Sequence, residues 1–140
     1  MAAQLLEKNI FLGLKETSKE DAIKLAGRKL VEAGCVEEAY INAMLEREKV
    51  MTTYMGMGLA IPHGVNEAKK DIIESGIVVL QYPDGVSFDG EMAYLVVGIA
   101  GKGDEHLEIL SSIAIALDDD VVEKLRVTTS KSDFIEAFAE

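Results

Sequence analysis

Two apolar runs decide what this chain can fold into. Residues 75–82, SGIVVLQY, and residues 93–101, AYLVVGIAG, are almost continuously apolar and rich in β-branched side chains. Such runs are typical of strands buried on both faces, because a strand with one face in water alternates apolar and polar residues. Amphipathic segments before and after these runs can supply covering helices. The sequence therefore predicts an α/β fold: a single domain over residues 1–140, with a mixed parallel and antiparallel sheet flanked by helices on both faces.

The amphipathic segments have recognisable ends. Ser18 is a suitable N-cap for a helix over residues 20–34, and Gly34 is a suitable stop. A second helix is predicted over residues 36–48, with Arg47 on its apolar stripe.

The rest of the chain predicts shorter elements. GLAIPH, residues 58–63, indicates a strand that ends at His63, and residues 83–85, Pro-Asp-Gly, indicate a turn. A third helix is predicted over residues 106–117, with Asp104 as its N-cap. Its predicted inward side chains are Leu107, Leu110, Ile113, Ala114 and Leu117. The remaining predictions are a weak strand at Ile10–Phe11, a short helix after residues 118–120 and a last helix after Ser130 or Ser132.

Charge and cysteine content exclude several classes of function. The formal net charge is −11, which argues against nucleic acid and anionic membranes as partners, because Lys and Arg carry phosphate binding. An acidic surface can instead steer a basic protein partner. The single Cys35 fits a reducing compartment, the N-terminal segment has no signal-peptide pattern, and no apolar run approaches the ~20 residues of a membrane span. We therefore expect a cytoplasmic protein without membrane insertion.

His63 stands at a position suited to chemistry. Pro62 favours an extended backbone before it, and Gly64 leaves room for a ligand beyond it. Sites in α/β sheets lie beyond the carboxyl ends of strands, and a neutral imidazole can act as a base, a metal ligand or a nucleophile. A loop histidine that merely ends the strand is an equally good interpretation of these residues alone.

Two further residues could complete a site. His106, in the first turn of a predicted helix, could donate a hydrogen bond to an anion bound at the helix N-terminus, although exposed first-turn histidines are common. Arg47, on an apolar stripe, needs an anionic partner. A carboxylate of the chain would serve, and a phosphoryl group would suit its forked geometry.

Other chemistries are not supported by the sequence. The two histidines and one cysteine lack zinc-ligand spacing, so we expect no metal and no cofactor. GKGD does not have the pattern of a P-loop, GMGLAI lacks the third glycine of a dinucleotide fingerprint, and no G-x-S-x-G elbow occurs.

Four segments together resemble a known family. MLEREKVMTTYMGMGLAIPHG, VVLQYPDGVSF, VGIAGKGDEHLEIL and ALDDDVVEKL are similar to the mannitol/fructose class of enzyme IIA components of the bacterial phosphoenolpyruvate-dependent sugar phosphotransferase system. The resemblance covers nearly the whole chain and is closest to mannitol-specific IIA proteins. It also gives the expectation of a free-standing IIA subunit, not one fused to IIB and the membrane component IIC.

The resemblance implies a function and residue roles. His63 would accept a phosphoryl group on Nε2 from the phosphocarrier HPr and pass it to a cysteine on the IIB domain of a mannitol-type IIBC permease. Arg47 and His106 would stabilise the phosphoryl group. The alternative within the same resemblance is a regulatory, nitrogen-type IIA protein, in which phosphorylation of His63 switches binding to a protein target without sugar transport.

Overall fold

The two apolar runs form the centre of the sheet. In the computed structural model, which describes residues 4–139 except the side chains of residues 66 and 67, they lie in strands β4 (Gly76–Phe88) and β5 (Glu91–Ala100). These strands pair antiparallel and are joined by Asp89 and Gly90, whose φ angles are 58° and 98°. Positive φ at both central residues identifies a type I′ turn, whose twist matches that of the flanking strands.

The turn predicted at residues 83–85 is wrong. β4 continues through these residues, and its pairing with β5 shifts register between Gln81 and Val86. Gly85 has a φ of +86°, and Pro83 has no N–H to contribute to a ladder, so this stretch is accommodated as an irregularity within the strand. The chain contains two Asp-Gly pairs here, and it turns at the second.

Three short strands complete a five-stranded sheet, in the order β1-β4-β5-β3-β2. β1 (Ile10–Phe11) pairs parallel with β4, β3 (Leu59–Ala60) pairs parallel with β5, and β2 (Tyr54–Gly56) pairs antiparallel with β3. The sheet is mixed, as predicted, and the strand at Ile10–Phe11 is confirmed. The strand predicted over residues 58–63 is shorter, so His63 lies beyond its end, and β2 is an element that the sequence pattern did not predict.

Helices cover both faces of the sheet, which confirms the predicted architecture. The helices are α1 (Lys19–Glu32), α2 (Ala39–Val50), α3 (Glu105–Ala116), α4 (Asp119–Leu125) and α5 (Lys131–Phe138), with 3₁₀ turns at Glu7–Asn9 and Asn66–Asp71. The side chains of Val78 and Leu80 share a core with α1 and α2. The alternate side chains of Ile77 and Val79 share a second core with α3, α4 and α5. Over the described residues, each helix falls short of the length and apolar character needed to cross a membrane.

Helix α1 begins and ends as its sequence predicts. The Ser18 hydroxyl accepts a hydrogen bond of 3.1 Å from the backbone N–H three residues later. At the other end Gly34 has a φ of +81°. The Gly34 N–H donates to the Val31 carbonyl, and the Cys35 N–H donates to the Leu30 carbonyl, both at 3.0 Å. This pair of bonds is a Schellman motif, which satisfies carbonyls that the helix end leaves unpaired.

The predicted bounds and faces of the other helices need correction. α2 begins at Ala39, because Val36 forms an isolated antiparallel bridge with Ile72 instead of a first helical turn. In α3 the prediction of the buried face is partly wrong: Ile113 is buried as expected, but Leu107 is 63% exposed.

Further details concern the buried face of α3 and the N-caps of α3 and α4. Ala114 of α3 is exposed, whereas Ile109, which was not predicted to face inward, is buried. Asp104 is the residue before α3, but its side chain makes no capping hydrogen bond. Asp118 does cap α4, accepting from the Val121 N–H at 3.0 Å.

Candidate functional site

The two histidines come together at one edge of the sheet. His63 follows β3, and His106 follows β5; these two strands are parallel neighbours, so their carboxyl ends meet at the same edge. The centroids of the two imidazole rings are 5.7 Å apart, with the planes inclined at 38°. The sequence placed each histidine at the end of an element, and the topology makes them neighbours.

The tautomer of His63 follows from its hydrogen bond. Its Nδ1 lies 2.9 Å from the carbonyl oxygen of Ile61. A carbonyl can only accept, so Nδ1 carries a proton, and in the neutral ring Nε2 then keeps its lone pair. Burial lowers the pKa of His63, the bond to the Ile61 carbonyl partly opposes this, and the nearby Arg47 and His106 lower the pKa further. The result is a neutral imidazole near pH 7 with a nucleophilic Nε2.

Tyr40 holds the backbone around His63. Its buried hydroxyl accepts the Gly64 N–H at 2.9 Å and donates to the Ile99 carbonyl at 3.0 Å. The Ile99 N–H in turn donates to the Pro62 carbonyl at 3.1 Å. A Cβ at position 64 would lie 2.6 Å from the Tyr40 ring, so glycine is required for this close approach. The segment that carries His63 is therefore tied to β5 on both sides of the histidine.

A second glycine allows His106 to reach the site. A Cβ at Gly101 would lie 2.1 Å from Cα of His106, so only glycine lets the first turn of α3 pack this closely on the end of β5. Ser75 secures the turn between them: its hydroxyl accepts the Lys102 N–H at 2.9 Å and donates to the Glu105 carboxylate. Burial lowers the pKa of His106, and Lys69 lowers it further, so this ring is also neutral near pH 7.

Arg47 completes the group. It is half-buried, and its guanidinium donates to the Met51 carbonyl at 2.6 Å. No described carboxylate forms an ion pair with it. The carboxylate partner that the sequence allowed is therefore not found among the described residues. The remaining donors of the guanidinium are available to an anion at the site.

These side chains line one open cleft of about 620 Å³. Arg47, His63, Lys69 and His106 supply its polar lining, and Val50, Leu107 and Leu110 supply apolar wall. Two of these apolar side chains, Val50 and Leu107, are 77% and 63% exposed. Three cationic or hydrogen-bond-donating groups thus face a neutral nucleophile, within an apolar rim that a protein partner could cover. Over the described residues, no group of three or more His, Cys, Asp or Glu side chains could hold a metal ion.

Sequence reasoning missed three residues at this site. Tyr40 lies on the apolar stripe of the predicted second helix, a pattern that gives no sign that its hydroxyl holds the His63 segment. Lys69 lies in a 3₁₀ turn with no motif, and Glu48 is a buried carboxylate next to Arg47. A charged residue on the apolar side of a helix was a usable signal for Glu48, but its partners could not be named without the fold.

A family model matches almost the whole chain. The model for the "Phosphoenolpyruvate-dependent sugar phosphotransferase system, EIIA 2" matches residues 4–140. A mannitol-specific phosphotransferase enzyme IIA component of Staphylococcus aureus is 48% identical over 133 residues, which cover 94% of this chain and 92% of that protein. A mannitol-specific EIICBA component of Vibrio cholerae is 48% identical over 97% of this chain. The chain spans only 22% of the length of that larger relative.

Solved structures share the fold. The crystal structure of the mannitol IIA of Escherichia coli superimposes with a TM-score of 0.90 at 45% identity, covering 96% of this chain and 99% of that one. IIA in an Escherichia coli complex of mannitol IIA with phosphorylated IIB gives a TM-score of 0.91 at 44% identity, with 97% of each chain covered. This chain belongs to the EIIA 2 family of the phosphoenolpyruvate-dependent sugar phosphotransferase system.

Proposed function

We propose that the chain is a phosphoryl relay component that takes a phosphoryl group from phospho-HPr onto Nε2 of His63 and passes it to a IIB cysteine. One observation carries the proposal. The proton of His63 is committed to Nδ1 by the Ile61 carbonyl, which leaves the Nε2 lone pair in a ring that lines a cleft with Arg47 and His106.

The relay consists of two successive transfers of the phosphoryl group. In the first, the Nε2 lone pair attacks the phosphorus of the donor phosphohistidine in line, the new N–P bond forms, and the donor's own N–P bond breaks. In the second, the IIB thiolate attacks the same phosphorus, an S–P bond forms, and the electron pair of the broken N–P bond returns to Nε2. No proton has to leave His63 in either step, because the attacking nitrogen carries none.

The neighbouring groups stabilise the transferring phosphoryl group. The Arg47 guanidinium offers fixed donors and a positive charge to its oxygens, and the neutral His106 ring can donate one hydrogen bond. The first-turn N–H groups of α3 add partial positive charge at the same end of the helix. The Met51 carbonyl holds the Arg47 guanidinium, and the close packing of α3 on Gly101 holds His106. Both donors are in place before the reaction, so little reorganisation is needed during transfer.

We assign the sugar and partners from the relatives. The Staphylococcus aureus and Vibrio cholerae proteins are named mannitol-specific, and the Escherichia coli complex pairs mannitol IIA with phosphorylated IIB. Mannitol is therefore the proposed substrate of the pathway, with HPr and a mannitol-type IIB as partners. We place the relay in the cytoplasm, where phosphoenolpyruvate is available, and treat residues 1–140 as one IIA domain.

The alternative is a regulatory phospho-switch. The nitrogen regulatory protein IIA-Ntr of Neisseria meningitidis has the same fold, with a TM-score of 0.81, but is 25% identical. The mannitol IIA structures are 44% and 45% identical over a similar share of the chain, which favours the sugar relay.

Reconstitution tests the proposal. The protein is incubated with phosphoenolpyruvate, enzyme I, HPr and membranes that carry a mannitol IIBC permease, and phosphorylation of mannitol is measured. The relay predicts mannitol phosphate that depends on this protein and disappears with His63→Ala. Phosphorylation of the protein without onward transfer to the permease, with mannitol or any other sugar tested, contradicts the relay and supports the regulatory alternative.

A further inference from the structure

Glu48 is a buried carboxylate that the proposed relay does not use. It is only 6% exposed and lies in the last turn of α2, where the helix dipole disfavours negative charge. Its two oxygens accept hydrogen bonds from the Thr52 hydroxyl at 2.5 Å, the Thr53 N–H at 2.9 Å and the Thr53 hydroxyl at 2.6 Å. Lys19 approaches to 3.6 Å. A buried carboxylate in such a position costs stability unless its oxygens accept hydrogen bonds. The bonds that Glu48 accepts also hold the two threonines that donate them.

The segment that Glu48 fixes, residues 51–53, contacts both sides of the site. The Met51 carbonyl accepts the hydrogen bond from Arg47. The Thr53 carbonyl accepts the Ile61 N–H at 3.0 Å.

Ile61 carries this restraint to the nucleophile. The Ile61 peptide donates through its N–H to residue 53, and its carbonyl accepts the Nδ1 proton of His63. A shift of residues 51–53 therefore moves the guanidinium and the carbonyl that selects the His63 tautomer together. Glu48 thus restrains both the Arg47 guanidinium and the Ile61 carbonyl through one segment.

We propose that Glu48 is a positioning residue: by holding residues 51–53 it fixes the Arg47 guanidinium and keeps the His63 proton on Nδ1. Glu48 makes no described hydrogen bond to His63, and it acts through residues 51–53 and Ile61. The kinetic consequence of this role rests on the proposed function. The tautomer of His63 does not, because it is a property of the unphosphorylated protein.

The test compares Glu48→Gln with Glu46→Gln. Glu46 lies two residues earlier in α2, is exposed and makes no described hydrogen bond, so it is a matched control for loss of one charge. Nitrogen-15 NMR of the imidazole rings reports the His63 tautomer. We expect Nδ1–H in the wild type and in Glu46→Gln, and a clearly detectable Nε2–H population in Glu48→Gln. The rate of phosphorylation by phospho-HPr should fall roughly 10–100-fold in Glu48→Gln, because small misplacements of reacting groups cost about that much, while the affinity for HPr stays unchanged.

A second variant guards against simple loss of folding. Thr53→Val removes the hydroxyl bonded to Glu48 and keeps the backbone bonds of residue 53, and it should shift the tautomer and the rate in the same direction by less. Folded Glu48→Gln with the wild-type tautomer and rate overturns the proposal, as does an equal effect in Glu46→Gln. A tautomer shift in Glu48→Gln, with no phosphoryl transfer even by the wild type, supports the positioning role and contradicts the proposed function.

Discussion

Replacing Tyr40 with Phe should weaken both the fold and the transfer of the phosphoryl group. The change removes one oxygen atom and two hydrogen bonds, one from the Gly64 N–H at 2.9 Å and one to the Ile99 carbonyl at 3.0 Å. Each lost bond typically costs about 1 kcal/mol, and a buried group left without a partner costs up to about 3 kcal/mol. We expect the free energy of unfolding to fall by about 2–3 kcal/mol.

The same chain offers a matched control. The Tyr82 hydroxyl is also buried, but it has no hydrogen-bond partner among the described residues. Tyr82→Phe removes the same atom from a buried ring without breaking a bond, so the free energy of unfolding should stay constant or rise. Urea denaturation of the two variants and the wild type at one pH measures the difference.

The transfer rate separates a local effect from a general one. Loss of the Tyr40 hydroxyl frees the backbone that carries His63, so phosphorylation by phospho-HPr should slow in Tyr40→Phe under conditions where the variant is fully folded. It should stay at the wild-type rate in Tyr82→Phe. Equal stability of the two variants, or equal transfer rates, would refute the claim that the Tyr40 hydroxyl holds the His63 segment.

Three further predictions concern the site itself. Arg47→Lys should slow transfer while the fold persists, because a point charge cannot reproduce the guanidinium fork, which donates to Met51 and which we propose also donates to the phosphoryl group; wild-type rates would contradict this. His106→Ala should slow onward transfer to IIB roughly 10²-fold, and His106→Gln, which keeps a donor, should recover part of the loss; no difference between the two variants would argue against hydrogen-bond donation. Burial lowers the pKa of His63 below its ordinary 6.5, so between that value and the lower folded pKa the unfolded chain binds more protons than the native protein. The free energy of unfolding of the wild type should therefore fall relative to that of His63→Gln as the pH drops below about 6.5, and a difference that is constant between pH 7.5 and 5.5 would contradict the lowered pKa.

Elements with strong local signals could be predicted from the sequence. The apolar runs of β4 and β5 have the composition of strands buried on both faces, and α1 carries an N-cap and a stop glycine whose bonds are made within the element itself. Helices on both faces of the sheet follow from these signals, because strands that are apolar on both sides need two covering layers.

Predictions from the sequence were wrong where two turn signals competed, and where contacts with distant residues determine which side chains are buried. Both Asp-Gly pairs, at residues 84–85 within β4 and at residues 89–90 after it, are turn signals. The chain turns at the second pair, and nine residue pairs are partnered across the long hairpin. Helix α3 is apolar around much of its surface, so periodicity could not show that Leu107 faces the cleft while Ile109 faces the core.

The sequence singles out the candidate residues of the site but not the residues that hold them in place. His63, His106 and Arg47 stand out because each is a polar group at an element end or on an apolar stripe. Tyr40 and Glu48 act through bonds to backbone groups that only the folded chain brings near, such as the Tyr40 hydroxyl at Ile99, 59 residues away. The sequence alone carries no signal for such partners.

The central claim is that Nε2 of His63 receives the phosphoryl group. The direct measurement is phosphorylation with phosphoenolpyruvate, enzyme I and HPr, followed by phosphorus-31 and nitrogen-15 NMR to locate the N–P bond. The account predicts one phosphoryl group per chain, on Nε2 of His63, retained in His106→Ala and absent from His63→Ala. A phosphoryl group on His106 in the wild type, on Nδ1 of His63, or in stoichiometric amount on His63→Ala would contradict it.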